Sequence, residues 1–181
     1  GDAIAVARVV ARELGGRIRA HAKFGTAAVI YGADERLDLV TTRTEFYEAP
    51  AVLPSVEHAT IREDLFRRDF TINAMAASLK ADDFGRLVDP FGGRRDLAGG
   101  VVRVLHNLSF IDDPTRIFRA VRYENRYGFR MDDHTLELAR ACIEMGLVGD
   151  LSTARLRDLY LLTLADMSMV APGKSGLISW G

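Results

Sequence analysis

Residues 63–77 read EDLFRRDFTINAMAA, and the division of this stretch into charge and apolar surface governs how the rest of the chain is understood. Arg67, Arg68 and Asp69 stand in a row directly before Phe70, Ile72, Ala74, Met75 and Ala76. The spacing of those apolar residues predicts a packed helical segment with the three charges at its end. Planar guanidinium groups hold phosphate oxygens through paired hydrogen bonds, and a carboxylate beside them accepts from a ribose hydroxyl, so Arg-Arg-Asp against a rigid element suits a nucleotide. The same residues allow a plainer arrangement, in which Asp69 caps a helix starting near Phe70 and both arginines lie on a solvated face.

Upstream, residues 2–14 carry Ile4, Val6, Val9, Val10 and Leu14 between charged positions, the pattern of an amphipathic helix closed by Gly15 and Gly16. RIRAH, TAAVIYG and RLDLVTTR, between residues 17 and 43, are short and β-branched or alternating, and predict three strands of one sheet. Asp38 falls on the third strand, where it either serves a ligand or pairs with Arg36 or Arg43; Glu45 lies just beyond. Residues 44–61 hold Pro50 and Pro54 without periodicity and predict a loop.

Downstream, GRLVDPFGGRRDLAGGVVRVL at 85–105 predicts two short strands around a turn formed by Asp89-Pro90 and Gly92-Gly93, with structural roles for Asp89 and Asp96. A helical half starts near Asp112, where acids and Pro114 suit a helix N-terminus. At roughly 100° per residue, Arg119, Arg122 and Arg126 fall within about 60° of one another, with Arg116 and Asp112 adjoining. Like charges on one arc repel unless they face an anion or acids, so the arc marks either a ligand-facing side or a solvated face. Residues 133–143 and 152–165 predict two further amphipathic helices, the second capped by Ser152 with Arg155 and Arg157 on its polar side. From Met167 the chain lacks periodicity and reads as a disordered or vector-derived tail.

With 181 residues, 48% of them apolar, the chain has enough core for one or two small domains. No apolar run reaches the roughly 18 residues that span a bilayer and no basic-then-apolar leader opens the chain, so a cytoplasmic protein without a membrane partner is expected. A net charge of −1 supplies no general attraction for polyanions, so phosphate binding has to be local. Of the 24 basic residues 21 are arginine, which suits bidentate contacts, although a codon bias gives the same ratio. The single Cys142 has no His or metal-ligand partner spaced to activate it and reads as a buried thiol.

RRDFTINAMA at 67–76 resembles the second nucleotide-binding motif of the class II nucleotidyltransferases, the family of CCA-adding enzymes, A-adding enzymes and bacterial poly(A) polymerases. The stretches 37–54 (LDLVTTRTEFYEAPAVLP), 87–106 (LVDPFGGRRDLAGGVVRVLH) and 109–129 (SFIDDPTRIFRAVRYENRYGF) are similar to that family in the same order, and the resemblance covers about residues 1–165. It implies an α+β fold: an incomplete nucleotidyltransferase head, a small mixed sheet with flanking helices, over 1–106, then an all-α neck over 107–166 and the tail over 167–181. It further implies template-independent addition of A, or of CCA, to the tRNA 3′ end from ATP and CTP with Mg2+. A poly(A) polymerase and a non-catalytic nucleotide- or RNA-binding module are the alternatives.

In DDPTR, Asp113 and Arg116 match the Asp and Arg of the family's Glu-Asp-x-x-Arg motif, which implies a base template. The carboxylate would accept from the exocyclic amine of A or C, and the guanidinium would donate to a ring nitrogen. Asp112 stands where the family usually has Glu, and the spelling looks more like the A-adding branch. By the same resemblance Arg67, Arg68, Asp69 and Asn73 hold sugar and phosphates, Arg119 and Arg122 support triphosphate or template, Asp38 is the catalytic metal-side acid, and Glu45 is a second catalytic candidate. The family's Asp-x-Asp pair and Gly-Gly motif do not occur before the first helix, so the chain as given is expected to be nearly inactive.

Overall fold

In the computed structural model, which describes residues 2–46, 55–58 and 60–168, Asp2 starts the first helix by accepting from the Ile4 and Ala5 amides at 2.8 and 3.2 Å. This helix, α1 (Ala3–Glu13), buries Ala3, Ala7 and Ala11, whereas Val6, Val9 and Leu14 of the expected apolar face are about half exposed. The packing face is thus a stripe of small residues at i, i+4 and i+8. Alanines let the helix backbone lie close to a strand that is itself small-sided, and Ala7 and Ala11 pack on Ala27 and Val29.

That strand is β2 (Thr26–Tyr31), the middle of an antiparallel sheet between β1 (Arg17–His21) and β3 (Glu35–Val40). The three expected strands and their single sheet are present, with β3 ending at Val40. Residues alternate between faces: Ala27, Val29 and Leu39 turn toward α1, while Arg19, His21, Arg36 and Asp38 line an open concavity of about 480 Å3. Residues 44–61 are not simply a loop. β4 (Arg43–Phe46) pairs antiparallel with β5 (Ser55–His58), and α2 (Ile61–Phe66) follows. Thr60 and Glu63 open α2 as a reciprocal capping box: the Thr60 amide donates to Glu63 at 2.7 Å and the Glu63 amide to the Thr60 hydroxyl at 3.3 Å.

The described chain divides into two compact units, one holding residues 2–46 and Ser55–Asp64, the other starting at Leu65. In the second unit no helix follows Asp69. Phe70 is extended and bridges Val104, the Thr71 amide donates to the Arg103 carbonyl at 2.9 Å, residues Thr71–Asn73 make one 3₁₀ turn, and β6 (Ala76–Ala77) pairs with β7 (Leu87–Val88). Pairing with a distant strand takes the backbone groups that a helix would have used. The second correction lies at 93–99. Between β7 and β8 (Val101–Val102) the glycine-rich turn is a helix, α3 (Gly93–Gly99), and Asp89 accepts from the Gly93 and Arg94 amides at its start, at 2.7 and 3.0 Å. A Cβ on Gly93 would stand 2.1 Å from the Thr71 carbonyl oxygen, so only glycine allows this approach.

The helical half begins with two helices where one was expected: α4 (Ser109–Asp112), then α5 (Thr115–Tyr127). β9 (Arg130–Met131) runs parallel to β8, and α6 (Asp133–Glu144) and α7 (Thr153–Ser168) complete the described residues. Met167 and Ser168 belong to α7, and the rest of the expected tail, 169–181, lies outside the described residues. Phe70, Val102 and Val104 share one core with Phe110, Ile117, Ala120, Met131, Ala139 and Cys142. The expected head–neck boundary at 106/107 therefore runs through a common core rather than between the two units. Cys142 is 1% exposed, and burial pushes its thiol pKa up, away from nucleophilic use.

Asp96, 2% exposed, ties this unit together: it accepts from the Thr71 hydroxyl at 2.7 Å and from Arg103 Nε at 2.9 Å, and Arg103 also binds Asp132. Asp96→Ala should cost about 2–3 kcal/mol, because it strands the buried Thr71 hydroxyl and takes one of two carboxylates from Arg103; a shift of the urea midpoint measures it, and an unchanged midpoint would refute the tie. Glu124 accepts from the Met131 amide through Oε1, while among the described residues its buried Oε2 finds no hydrogen-bond partner. Burial raises its pKa, against the lowering effect of the Met131 amide. A carboxyl raised in the folded state favours folding below its ordinary pKa, and that contribution is lost as pH rises through the raised value. The stability of Glu124→Gln relative to the unsubstituted chain should therefore climb with pH across that window and then level off, as followed by urea unfolding at a series of pH values.

Candidate nucleotide site

Asp69 is the centre of the candidate site. Phe70 leaves the turn extended, which directs its amide to Asp69 Oδ1 at 2.8 Å. Asn73 Nδ2 donates to the same oxygen at 2.9 Å. Oδ2 receives Arg119 of α5, through Nε at 2.6 Å and Nη2 at 2.5 Å. Asp69 is 8% exposed, so this is a largely desolvated carboxylate held by charge-assisted bonds. Burial works against the charge of Arg119, but Asp69 offsets it and holds the guanidinium pKa above its ordinary value.

The other expected residues gather around this pair. Arg68 Nη1 reaches the Asn73 carbonyl at 3.3 Å, and Asn73 Nδ2 also donates to the Tyr123 hydroxyl at 3.0 Å. Asp113, between α4 and α5, accepts from the Thr115 amide at 3.1 Å, the Thr115 hydroxyl at 2.6 Å and Arg155 Nη2 at 3.3 Å. Pro114 is the N-cap of α5, and Asp113, one residue earlier, serves the first amide of the helix as well as being a fixed acceptor. Arg116 departs from the arc expected of it. At 5% exposure it points inward, donating through Nη1 to the Ser109 hydroxyl at 2.7 Å and through Nη2 to the Arg67 carbonyl at 2.9 Å. Arg67 therefore enters the constellation through its backbone. Arg119 and Arg122 line a cleft of about 190 Å3 along the outer side of α5 with Tyr123, Arg126 and Tyr127.

Asp38 and Glu45 belong to the first unit. Asp38 is bound by Arg36 of its own strand through Nε and Nη2 at 2.9 and 2.8 Å. Glu45 stands opposite Val56 in the β4–β5 pair, and its side chain lies outside the described residues. No group of three acids, histidines or cysteines able to hold a metal exists among the described residues. Asp38 and Arg36 are both more than half exposed in this pair.

Sequence reasoning missed Tyr123, Tyr127 and Arg155. Positions 119, 122, 123, 126 and 127 follow the i, i+3, i+4, i+7, i+8 rhythm of one helix face, so the two tyrosines were legible as members of the arginine arc. Arg155 had no such signal, since its link to Asp113 bridges 42 residues.

Arrangements of this kind bind a ligand that carries both phosphates and hydrogen-bond donors, because cations and fixed carboxylates alternate within a few ångströms. Comparison with known proteins gives the family. The Poly A polymerase head domain family matches residues 1–103. An A-adding tRNA nucleotidyltransferase of Geobacter sulfurreducens is 46% identical over 170 residues, covering 94% of this chain and 19% of that protein. Another, of Halalkalibacterium halodurans, is 48% identical over 141 residues, covering 78% and 33%. The solved apo structure of a CCA-adding enzyme superposes with a TM-score of 0.85 at 49% identity, over 91% of this chain and 39% of that one; a CCA-adding enzyme solved with ATP gives 0.80 at 44%, over 91% and 36%. The chain thus spans a fifth to two fifths of the length of these relatives. Among the described residues no helix is long and apolar enough to cross a membrane.

Because Arg116 is buried on internal partners, Arg116→Met should cost about 2–3 kcal/mol of stability, the order expected for losing charge-assisted bonds to buried acceptors. The exposed Arg126→Met should stay within about 0.5 kcal/mol. Parallel urea titrations check the contrast, and equal effects would mean that Arg116 does not brace the site.

Proposed function

Since the chain belongs to the Poly A polymerase head domain family, we propose that it is the nucleotide-selecting part of a cytoplasmic enzyme that adds A, or C, C and A, to the 3′ end of tRNA from ATP and CTP. The observation that carries this is the bonding of residues 67–73 to α5, by Arg119 to Asp69 and by Arg116 to the Arg67 carbonyl. Two segments about fifty residues apart, which the family resemblance assigns to sugar–phosphate and to base, meet in one rigid place. The RNA 3′ hydroxyl attacks the α-phosphate of the nucleotide and pyrophosphate leaves.

In this reading Arg68, Arg119 and Arg122 face phosphates, and Asp69 and Asn73 fix the sugar end. Asp113 offers its carboxylate to the exocyclic amine of A or C. Arg116 supports base choice from behind: by holding Ser109 and the Arg67 carbonyl it fixes the approach of both segments, and any donation to the base uses guanidinium hydrogens directed away from those two acceptors. Buried hydrogen-bond sites discriminate because a wrong base leaves their groups unpaired. A divalent ion would supply charge stabilisation at the transferred phosphate; the described residues do not form a site for it, and we assign them to binding and selection only. The head and neck division at 106/107 is retained as a proposal about role, with the base-reading groups in the neck.

Calorimetric titration with ATP, CTP, GTP and UTP separately tests the proposal. ATP alone fits A addition, ATP with CTP fits CCA addition, and equal binding of all four would refute base selection. Asp113→Asn keeps an acceptor for Thr115 and should remove the preference for ATP and CTP by about tenfold or more. Arg68→Ala should weaken all four nucleotides alike by about tenfold, the order of one charge-assisted bond; a base-dependent loss would contradict its phosphate role.

A further inference from the structure

The cleft on the outer side of α5 goes beyond what one nucleotide uses. Its aromatic members form a continuous ladder from the core to the surface. Phe70, fully buried, meets Tyr123 edge to face at 5.9 Å. Tyr123 stacks on Tyr127 at 5.7 Å with 22° between the rings, and Tyr127 leans on Phe129 at 5.6 Å. The inner rungs are thus fixed by the core and by the bond from Asn73 to the Tyr123 hydroxyl, while Tyr127 at the end of α5 is 52% exposed. Large aromatic rings normally bury their faces. Here a ring that is already oriented by a neighbour keeps half its surface in water.

Arginines of α5 stand beside it. Arg119, Arg122 and Arg126 line the same cleft, and the guanidinium of Arg126 sits 5.3 Å from the Tyr127 ring centre. From Arg119 to Arg126 the face is about 10 Å long at 1.5 Å per residue, so it can follow more than one phosphate. An exposed, pre-oriented ring beside a row of arginines is the combination by which proteins hold single-stranded nucleic acid: bases stack on the aromatic face and the backbone follows the cations. A lone mononucleotide explains Arg119 near Asp69 but leaves Arg126 and Tyr127 without a purpose. An acidic protein partner would use the arginines but has no need of a flat, stacked aromatic step.

We propose that Tyr127, seated on Tyr123 and beside Arg126, is a stacking site for an unpaired base of the acceptor RNA's 3′ strand, next to the place of the incoming nucleotide. The proposal rests on the nucleotide-adding reading for the identity of that strand. Asn73 links the two places, because its amide touches both Asp69 and Tyr123.

Fluorescence anisotropy with a labelled short single-stranded RNA ending in cytidines tests it on the full chain, with ATP titrated in parallel. Tyr127→Ala should weaken the RNA by about tenfold, as loss of one base–aromatic stack does, and Tyr127→Trp should restore or tighten binding, whereas Tyr127→Leu should not restore it. ATP affinity should move less than about twofold in all three, since Tyr127 is assigned no contact with the nucleotide and is linked to Asn73 only through Tyr123. Arg126→Gln should lower the salt slope of RNA binding by about 0.7, the share of one single-strand phosphate. Failure of the unsubstituted chain to bind the RNA, unchanged RNA affinity in Tyr127→Ala, or full rescue by leucine would overturn the stacking site. Absence of ATP binding by the unsubstituted chain would instead count against the nucleotide reading, and a Tyr127-dependent RNA affinity would stand without it.

Discussion

The joint between the 67–73 turn and α5 depends on one carboxylate. Asp69 takes an amide from its own turn, an amide from Asn73 and a guanidinium from α5, and is 8% exposed while doing so. An ionised group can be buried that far only if its oxygens are satisfied, and breaking such an arrangement leaves an uncompensated charge in low dielectric. The turn and α5 are therefore held to each other as a condition of burying Asp69. The proposed nucleotide place, beside Arg68, Asp113 and the outer arginines, rests against that joint.

Arg116 shows how a residue proposed for base choice can also brace the fold. A guanidinium has five donors in a fixed plane. Two of them go to Ser109 and to the Arg67 carbonyl, so the group is locked in orientation before any ligand arrives. Pre-orientation reduces the entropy that recognition would otherwise cost. Asp113 follows the same logic, since Thr115 and Arg155 hold its Oδ1. Asp38 stands in a different setting, paired with Arg36 of its own strand where both side chains are more than half exposed.

The first unit was largely legible from the order of residues. The strands around Val29 and Leu39 and the helix before them followed from alternation and from the glycines that end them. The helix nonetheless centres its packing on Ala3, Ala7 and Ala11, with Ile4 and Val10 at the side and Val6 and Val9 about half exposed, because closeness to β2 outweighed side-chain size. The Thr60–Glu63 capping box was also readable, as a Ser/Thr-x-x-Glu pattern, although residues 44–61 read as loop through their prolines. The failure at 70–77 was of another kind: Phe70, Ala74 and Met75 have helical spacing, but Phe70 is claimed by Val104 and Thr71 by Arg103, partners about thirty residues away.

What the sequence determined by itself was local and chemical. The run Arg67-Arg68-Asp69, the pair Asp113 and Arg116 and the arc of arginines on α5 named the charges that matter, and their order pointed to the family. What only the tertiary structure decided was which of those charges face each other. Nothing in the sequence says that Asp69 meets Arg119 across fifty residues, that Arg116 turns inward, or that Tyr127 is left stacked and half exposed. Those outcomes depend on how far each group can be desolvated, and desolvation is a property of the packed chain rather than of any stretch of it.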